Sequence, residues 1–400
     1  MRKSQPDFAA CGPLKALAET RHQTPGVCRM SPTNTSVNVV ERAQKLHAQA
    51  IEVCSRGRHR QARSFCSRSL AILKRALGPK HPEVARVLNT LAASYEGEGD
   101  YAEAGVLFHQ AIKNLKSIRG NGEIDALRVE SLQNLGSMKV VQSQYRVAER
   151  YLRSALALAE KSLGRDSVEA SGVLNALGVL CKYTARFAEA DRFYHRALSI
   201  SKRKLGPNHP DLATIYHNLG GLEHSRGRYA RGERFARRSV QIREKALGPT
   251  HPQVAADVAA LAAILDGRGK VTESRRLYQR ALMIFRRNYG PAHYEIAVNL
   301  NNLAAVNQAE RRYKQAEKQY RQALAIKKKF FGANHPDVAI TLNNLAMLYQ
   351  AMGRIEAARR AYGQALRTFT KTLGPRHPNS VACRENYIQF ETGAKKSSRA

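Results

Sequence analysis

The sequence predicts an all-α solenoid of antiparallel helix pairs, and two kinds of repetition support this prediction. One motif, L-G-P-x-H-P or a close variant, begins at Leu77, Leu205, Leu247, Tyr289, Phe331 and Leu373. The last five copies lie 42 residues apart. Within each period, apolar residues recur with helical spacing on either side of a polar break. A fixed period of this length is typical of stacked repeats, each of which is too small to bury its own apolar face.

The first helix of each period, helix A, begins at the proline of the motif. A leucine then recurs at one position in seven successive units: Leu91, Leu135, Leu177, Leu219, Leu261, Leu303 and Leu345. Another apolar residue or a tyrosine stands three residues earlier, and this pair marks the buried stripe of the helix.

The second helix, helix B, begins with an aromatic or apolar residue after a polar break that often contains glycine. A small residue recurs on helix B at Ala104, Ala148, Ala190, Gly232, Ser274, Ala316 and Ala358, and a second small residue follows seven positions later. Small side chains at these positions let two helices approach closely.

This alternation of leucines on helix A with small residues and tyrosines on helix B resembles the tetratricopeptide repeat. The 42-residue period, the L-G-P-x-H-P link and the L-N-N-L-A segments at Leu300 and Leu342 are similar to the kinesin-light-chain subtype. The resemblance covers roughly residues 37 to 390 and implies a right-handed superhelical solenoid. It also implies that the A helices line a concave groove that binds a peptide.

The ends of the chain differ from the repeats. Residues 1–36 mix Pro, Gly, Ser, Thr and Asn, and we expect them to form a flexible basic leader. Residues 37–390 are expected to form about seven or eight repeats, closed by a C-terminal capping helix. Residues 391–400 are expected to be a disordered basic tail.

The composition limits the function classes. Lys and Arg number 66 against 32 Asp and Glu, which gives a formal net charge of +34, and the hydrophobic fraction of 43% excludes wholesale disorder. No apolar run is long enough to span a membrane. The six cysteines lack paired spacing, which favours a reducing compartment. We therefore expect a cytoplasmic protein, with an organelle transit peptide left open.

Catalytic and metal sites are not expected. The recurring histidines, such as His81 and His335, lie one repeat apart, too far to share one ion, and helix starts explain them better. No nucleophile elbow, Walker loop, H-E-x-x-H or CxxC motif occurs. Cys54 and Cys66 near His59 are the remaining candidates for a reactive thiol. The sequence predicts no enzyme, cofactor or metal.

Asparagine recurs at two adjacent positions of helix A, although it is a mediocre helix former. Its carboxamides could pair with the backbone of a bound peptide, or they could form a ladder that ties neighbouring helices together. Both explanations stay open. The candidate peptide-binding residues are Asn89, Asn134, Asn175, Asn218, Asn301, Asn302, Asn343, Asn344, Gln308 and Gln350.

The positive charge is concentrated on the B helices: Arg228–Ala246, for example, holds seven basic and two acidic residues. A solvated convex surface is the simplest explanation, but so large an excess of one sign exceeds what solubility needs. The candidate polyanion-binding residues are Arg234, Arg237, Arg238, Arg276, Arg280, Lys318 and Arg321.

Two functions follow. The first is a non-enzymatic scaffold or adaptor that binds a peptide segment of a partner protein in the concave groove. The alternative is a protein whose basic convex face binds a polyanion, namely nucleic acid, an anionic membrane surface or an acidic protein. Nucleic-acid contact would then be with the backbone, because the tyrosines occupy core positions. A weaker third possibility is an accessory subunit that presents a client to an enzyme.

Overall fold

The computed structural model describes residues 34–397, with side chains from residue 38 to residue 394. Its regular structure in this range is α-helical, which confirms the predicted all-α class. The helices are α1 (Asn34–Ser55), α2 (His59–Leu77), α3 (Pro82–Gly97), α4 (Tyr101–Lys116), α5 (Gly122–Val141), α6 (Tyr145–Ser162), α7 (Val168–Tyr183), α8 (Phe187–Leu205), α9 (Pro210–Ser225), α10 (Tyr229–Leu247), α11 (Pro252–Gly267), α12 (Val271–Tyr289), α13 (Tyr294–Ala309), α14 (Tyr313–Phe331), α15 (Pro336–Ala351), α16 (Ile355–Leu373) and α17 (Pro378–Ser397).

Odd-numbered helices are the predicted A helices and even-numbered helices the B helices. Six A helices pack most extensively on the B helix that follows them, as in α3 with α4 and α15 with α16. Six B helices also pack on the next A helix, as in α14 with α15, and some neighbouring A helices touch, as in α11 with α13. The predicted solenoid of helix pairs is therefore confirmed.

The described chain divides into two compact units, residues 34–180 with 192–215 and residues 181–191 with 216–397. In the first unit, leucines of helix A pack around Phe108 and the small residues Ala104 and Ala111 of helix B. In the second unit, the buried rings of Tyr320 and Tyr362 pack with the leucines of α15. Small residues on helix B leave room for these large side chains.

The recurring histidine caps helix A. Its Nδ1 accepts a hydrogen bond from the backbone N–H two residues later, at 3.2–3.3 Å, in His81, His209, His251, His293, His335 and His377. The first backbone N–H groups of a helix have no partner within it, so an acceptor placed there is stabilising. The structural explanation of this motif is confirmed.

The turn from helix A to helix B contains one residue with a left-handed backbone. Glycine occupies this position in five repeats, for instance Gly99 with φ of 87°. Three repeats place Ser143, Ala185 and Arg311 there instead, with φ of 60–61°. Such a conformation costs a residue with a Cβ about 1–2 kcal/mol. The polar break predicted from the sequence is thus a defined turn.

Both ends of the helical array differ from the predicted bounds. Helix α1 begins at Asn34, three residues before the expected start, and residues 1–33 of the predicted leader lie outside the described residues. The expectation of disorder from residue 391 is wrong for residues 391–397, because α17 continues to Ser397. Buried Phe390 and the ion pair between Arg359 and Glu391, at 2.7 Å, hold this part of the helix.

Candidate functional site

The asparagine row, the eight asparagines predicted to line a groove, lies in the middle of the A helices. Six of them have exposed fractions of 2% or less: Asn89, Asn218, Asn301, Asn302, Asn343 and Asn344. These six do not line an open groove, which corrects the expectation. The reason is clearest in α13, where every residue from Glu295 to Asn307 is buried. Apart from Glu295 in its first turn, α13 has no charged residue, and a helix without a charged face can pack on all sides.

In the first unit, buried polar side chains join the A helices of neighbouring repeats. Asn89 in α3 donates from Nδ2 to Oγ of Ser131 in α5, at 2.9 Å. His47 in α1 and Thr90 in α3 share a hydrogen bond of 2.8 Å. Buried polar groups need such partners. For Asn89, the structure therefore favours the ladder over peptide contact.

In the second unit, Asn301 and Asn343 occupy equivalent positions one repeat apart. Asn301 donates to Oδ1 of Asn302 at 3.4 Å, and Asn343 donates to the sulfur of Met347 at 3.9 Å. Neither Oδ1 atom accepts a hydrogen bond from another described residue. A buried acceptor without a donor costs about 1–3 kcal/mol. These carboxamides are closed off in this conformation.

The two candidate glutamines lie at the C-terminal ends of α13 and α15. Gln308 is half-buried and accepts a hydrogen bond from the Tyr320 hydroxyl at 3.3 Å. Gln350 is exposed and accepts one from the Tyr362 hydroxyl at 3.0 Å. In both repeats, the glutamine therefore fixes the buried tyrosine of the following B helix.

The accessible members of the asparagine row are Asn134 and Asn175, both half-buried and both in the first unit. Asn134 lies in α5, and the structure records no hydrogen bond from its side chain to another described residue. Asn175 lies at the neighbouring position, one repeat later, in α7. The carboxamide of Asn134 offers two donors and an acceptor.

The second unit contains a buried ionic network that sequence reasoning missed. Asp257 of α11 lies 2.8 Å from Nδ1 of His217 and 2.5 Å from Nε of Arg243, and all three residues are at most 3% exposed. Burial alone would raise the pKa of the Asp257 carboxyl, but Arg243 and His217 hold it below its ordinary value. Arg243 also donates to Gln253 at 2.6 Å. One signal was available: Asp257 stands in the middle of its helix A, whose other charged residue, Asp266, lies in the last turn.

The cysteine candidates lie in the first unit and are buried free thiols. The Cys54 sulfur is 3.7 Å from Nδ1 of His59. Burial raises the pKa of the Cys54 and Cys66 thiols to about 12 and lowers the pKa of His59 to about 4. A protonated thiol is a poor nucleophile and a poor metal ligand. The arrangement is that of a packed core.

Four of the predicted polyanion-binding residues are engaged by neighbours. Arg237 pairs with two glutamates, Arg280 with Glu244 and Arg321 with Glu317, at 2.5–2.9 Å. Arg238 donates to Gln241 at 2.7 Å. The positive charge of the first three is therefore neutralised locally.

The remaining three, Arg234, Arg276 and Lys318, are exposed and have no ion pair with another described residue. They stand at the same position of α10, α12 and α14. The structure therefore divides the predicted basic stripe into paired and unpaired residues, which the sequence pattern alone did not do.

Two further features are absent from the described residues. No group of three or more His, Cys, Asp or Glu side chains there could hold a metal ion. No helix there combines the length and the apolar character that crossing a membrane requires.

Comparison with protein families gives matches along most of the chain. The family model of the tetratricopeptide repeat matches residues 41–117, 127–203, 169–245, 211–270, 254–329, 295–371 and 337–387. From residue 127 onward, successive matched segments overlap, as expected for a repeat array. No curated protein sequence matches the chain significantly.

Among solved structures, the chain is similar to the Rap protein in complex with Competence and Sporulation Factor, at 10% identity and a TM-score of 0.56, covering 91% of this chain and 99% of that one. It is also similar to NprR in complex with its cognate peptide NprX, at 12% identity and a TM-score of 0.53, with coverage of 77% and 82%. The nearly identical TPR-like repeats of a protein from Podosopora anserina, named as a kinesin light chain, match at 23% identity and a TM-score of 0.38, with coverage of 50% and 94%.

Proposed function

Because the chain belongs to the tetratricopeptide repeat family, we propose that it is a non-enzymatic scaffold that binds a peptide segment of a partner protein. The family match rests on repeats along most of the chain, and hairpin stacking of this kind presents a long surface built from equivalent positions. NprR, which shares the fold, was solved in complex with its cognate peptide.

The observation that supports peptide binding here is the half-buried side chain of Asn134, which has no hydrogen bond to another described residue. Asn175 stands at the neighbouring helix A position one repeat later. An extended peptide presents an N–H and a C=O at each residue, and a carboxamide can pair with both. We infer that α5 and α7 contribute the contacts. The buried asparagines of α13 and α15 then belong to the core of the scaffold.

The scaffold role also fits the electrostatics of the A helices. Helix α7, one of the two proposed contact helices, contains one acid, Glu169, and one base, Lys182, near its two ends, and no charged residue between them. A neutral surface of amides and apolar side chains suits a peptide backbone better than a phosphate group, which prefers basic residues.

The proposal is tested by panning a phage-displayed library of random peptides against the purified full-length chain. The dissociation constant of an enriched peptide is then measured by fluorescence polarisation. We expect Asn134→Ala to weaken binding about tenfold, the loss of about 1.4 kcal/mol that a hydrogen bond contributes. Its melting temperature should not fall, because alanine is the better helix former.

Asn343→Ala is the matched control, because Asn343 shares the residue type and the A-helix location of Asn134 but is 1% exposed. It should leave the dissociation constant unchanged. Peptide binding that survives Asn134→Ala but is lost in Asn343→Ala would refute the assignment to α5 and α7. Failure to enrich any peptide would count against the proposed function itself.

A further inference from the structure

The acidic residues of four B helices in the second unit are all committed to ion pairs. Helices α10, α12, α14 and α16 contain five acidic residues in total. Each one lies within ion-pair distance of an arginine: Glu233, Glu244, Glu273, Glu317 and Glu356. These helices therefore have no acid left to neutralise their other basic side chains.

Eight of the unpaired basic residues form two rows, here named the first and second basic rows. The first consists of Arg234, Arg276, Lys318 and Arg360, one on each of the four helices and 42 residues apart. The second consists of Lys245, Arg287, Lys329 and Lys371, again 42 residues apart. All eight side chains are exposed, and none has an ion pair with another described residue.

The two rows lie on the same face of each helix. Residues in the second row follow those in the first by eleven positions, which is close to three full turns. At 1.5 Å per residue, the two rows are about 16 Å apart along each helix. The repeat carries the pair to the equivalent place on the next B helix, so the face presents a regular array of cations.

We propose that the two basic rows bind the phosphate backbone of duplex nucleic acid. Phosphates along a duplex form two parallel lines of negative charge, and a cationic array binds them without reading sequence. Arginine, which fills half of the positions, pairs well with phosphate oxygens. An array of uncompensated like charges also repels itself, and a bound polyanion relieves that repulsion.

The other polyanions fit this face less well. No Tyr or Phe among residues 38–394 is exposed, so bases of a single strand have no ring on which to stack. Protein interfaces rely on aromatic anchors and are poor in lysine. Membrane surfaces are usually engaged by apolar side chains together with basic ones, and the exposed large apolar residues on these four helices are Met283 and Ile355.

The experiment measures the affinity of the full-length chain for a mixed-sequence DNA duplex by fluorescence anisotropy as a function of salt. Eight phosphate contacts predict a loss of roughly 10³- to 10⁵-fold between about 50 and 200 mM salt. A quadruple variant of the first basic row, with Gln at all four positions, should reduce the slope of log affinity against log salt by about 3 to 4.

The control variant removes the same number of charges from exposed residues of the first unit that also have no ion pair with another described residue. It carries Arg42→Gln, Lys45→Gln, Arg68→Gln and Lys113→Gln. It should keep most of the salt slope. An equal loss in both variants would mean that net charge alone attracts DNA, and would overturn the assignment to the basic rows.

Two further results would also overturn the proposal. One is unchanged duplex affinity in the row variant. The other is a first-row variant that loses its affinity for phosphatidylserine vesicles but keeps its affinity for the duplex. Melting curves of all variants check the fold, and the corresponding quadruple variant of the second row gives an independent test if the first one melts early.

Discussion

Arg243 and Asp257 form an ion pair in the core, with Nε 2.5 Å from Oδ2 and exposed fractions of 3% and 1%. The pair joins α10 to α11, and His217 of α9 completes the coordination of the carboxylate at 2.8 Å. Three successive helices therefore meet at one buried charge. Removing one partner of such a pair leaves the other charged and desolvated.

We accordingly expect Asp257→Asn to destabilise the second unit by about 3–5 kcal/mol. The measurement is the midpoint of urea unfolding, followed by circular dichroism. Asp166→Asn is the control, because Asp166 pairs with Arg203 on the surface, where both side chains are more than half exposed. A surface pair contributes about 0–1 kcal/mol. Equal midpoints for Asp257→Asn and wild type would contradict the network's role.

The hydrogen bond between Asn89 and Ser131 gives a second prediction. Asn89→Ala leaves a buried hydroxyl without this partner and should cost about 1–3 kcal/mol. The double variant Asn89→Ala with Ser131→Ala should cost less than the sum of the two single changes, because neither polar group is then left unpaired. Urea midpoints of the four proteins give the coupling energy. Additive effects would show that the ladder contributes nothing to stability.

Glu96 predicts a specific dependence of stability on pH. It is 6% exposed, and burial raises the pKa of its carboxyl from 4.5 to about 8. Between these values the folded chain binds a proton that the unfolded chain has released. Stability should therefore fall as the pH rises from about 4.5 to about 8 and change little from this source above that.

Glu96→Gln should remove this decline and make the variant more stable than wild type at about pH 9. Glu98→Gln is the control: Glu98 is partly exposed and pairs with Arg63 at 2.7 Å. Unfolding midpoints measured across the pH range compare the two. If the stability of Glu96→Gln still falls over this pH range, the fall comes from another titratable group.

Replacing either of two glycines in the first unit by alanine should change the stability, but in opposite directions. A Cβ on Gly136 would lie 2.8 Å from Cγ of the fully buried Leu152, and overpacking of this kind costs about 1–3 kcal/mol. A Cβ on Gly105 would meet Met138 at an ordinary 3.5 Å, so Gly105→Ala should stabilise α4 by roughly 0.5–1 kcal/mol. The melting temperatures of the two variants distinguish these effects. If both rise or both fall, the packing described around one of the glycines is wrong.

Much of the fold could be predicted from the sequence. Helix B begins at Tyr101, Tyr145 and Tyr229, as the spacing indicates, and helix A begins at Pro82 and Pro336. These signals are local: the residues that begin a helix also provide its cap and its first buried contact. The end of the last helix was missed because the Arg359–Glu391 pair that supports it joins residues on different helices.

The candidate site could be predicted only in part. Asn134 and Asn343 belong to the same predicted set, yet one is half-buried and the other is 1% exposed. Sequence position assigns both to helix A but does not say how closely its neighbours pack. Likewise, Arg234 and Arg237 belong to one predicted stripe, but a glutamate of the next B helix pairs with Arg237 and leaves Arg234 unpaired.

The amino-acid sequence by itself determined the repeat, its period, the helix starts and the positions that become core. Periodicity fixes these because each hairpin needs the same buried stripe to pack on the next one. Tertiary structure alone decided which asparagines are accessible and which basic residues have an acidic partner. Both depend on side chains from other repeats, and a residue's exposure and ion-pair partners are properties of the packed array rather than of its own helix.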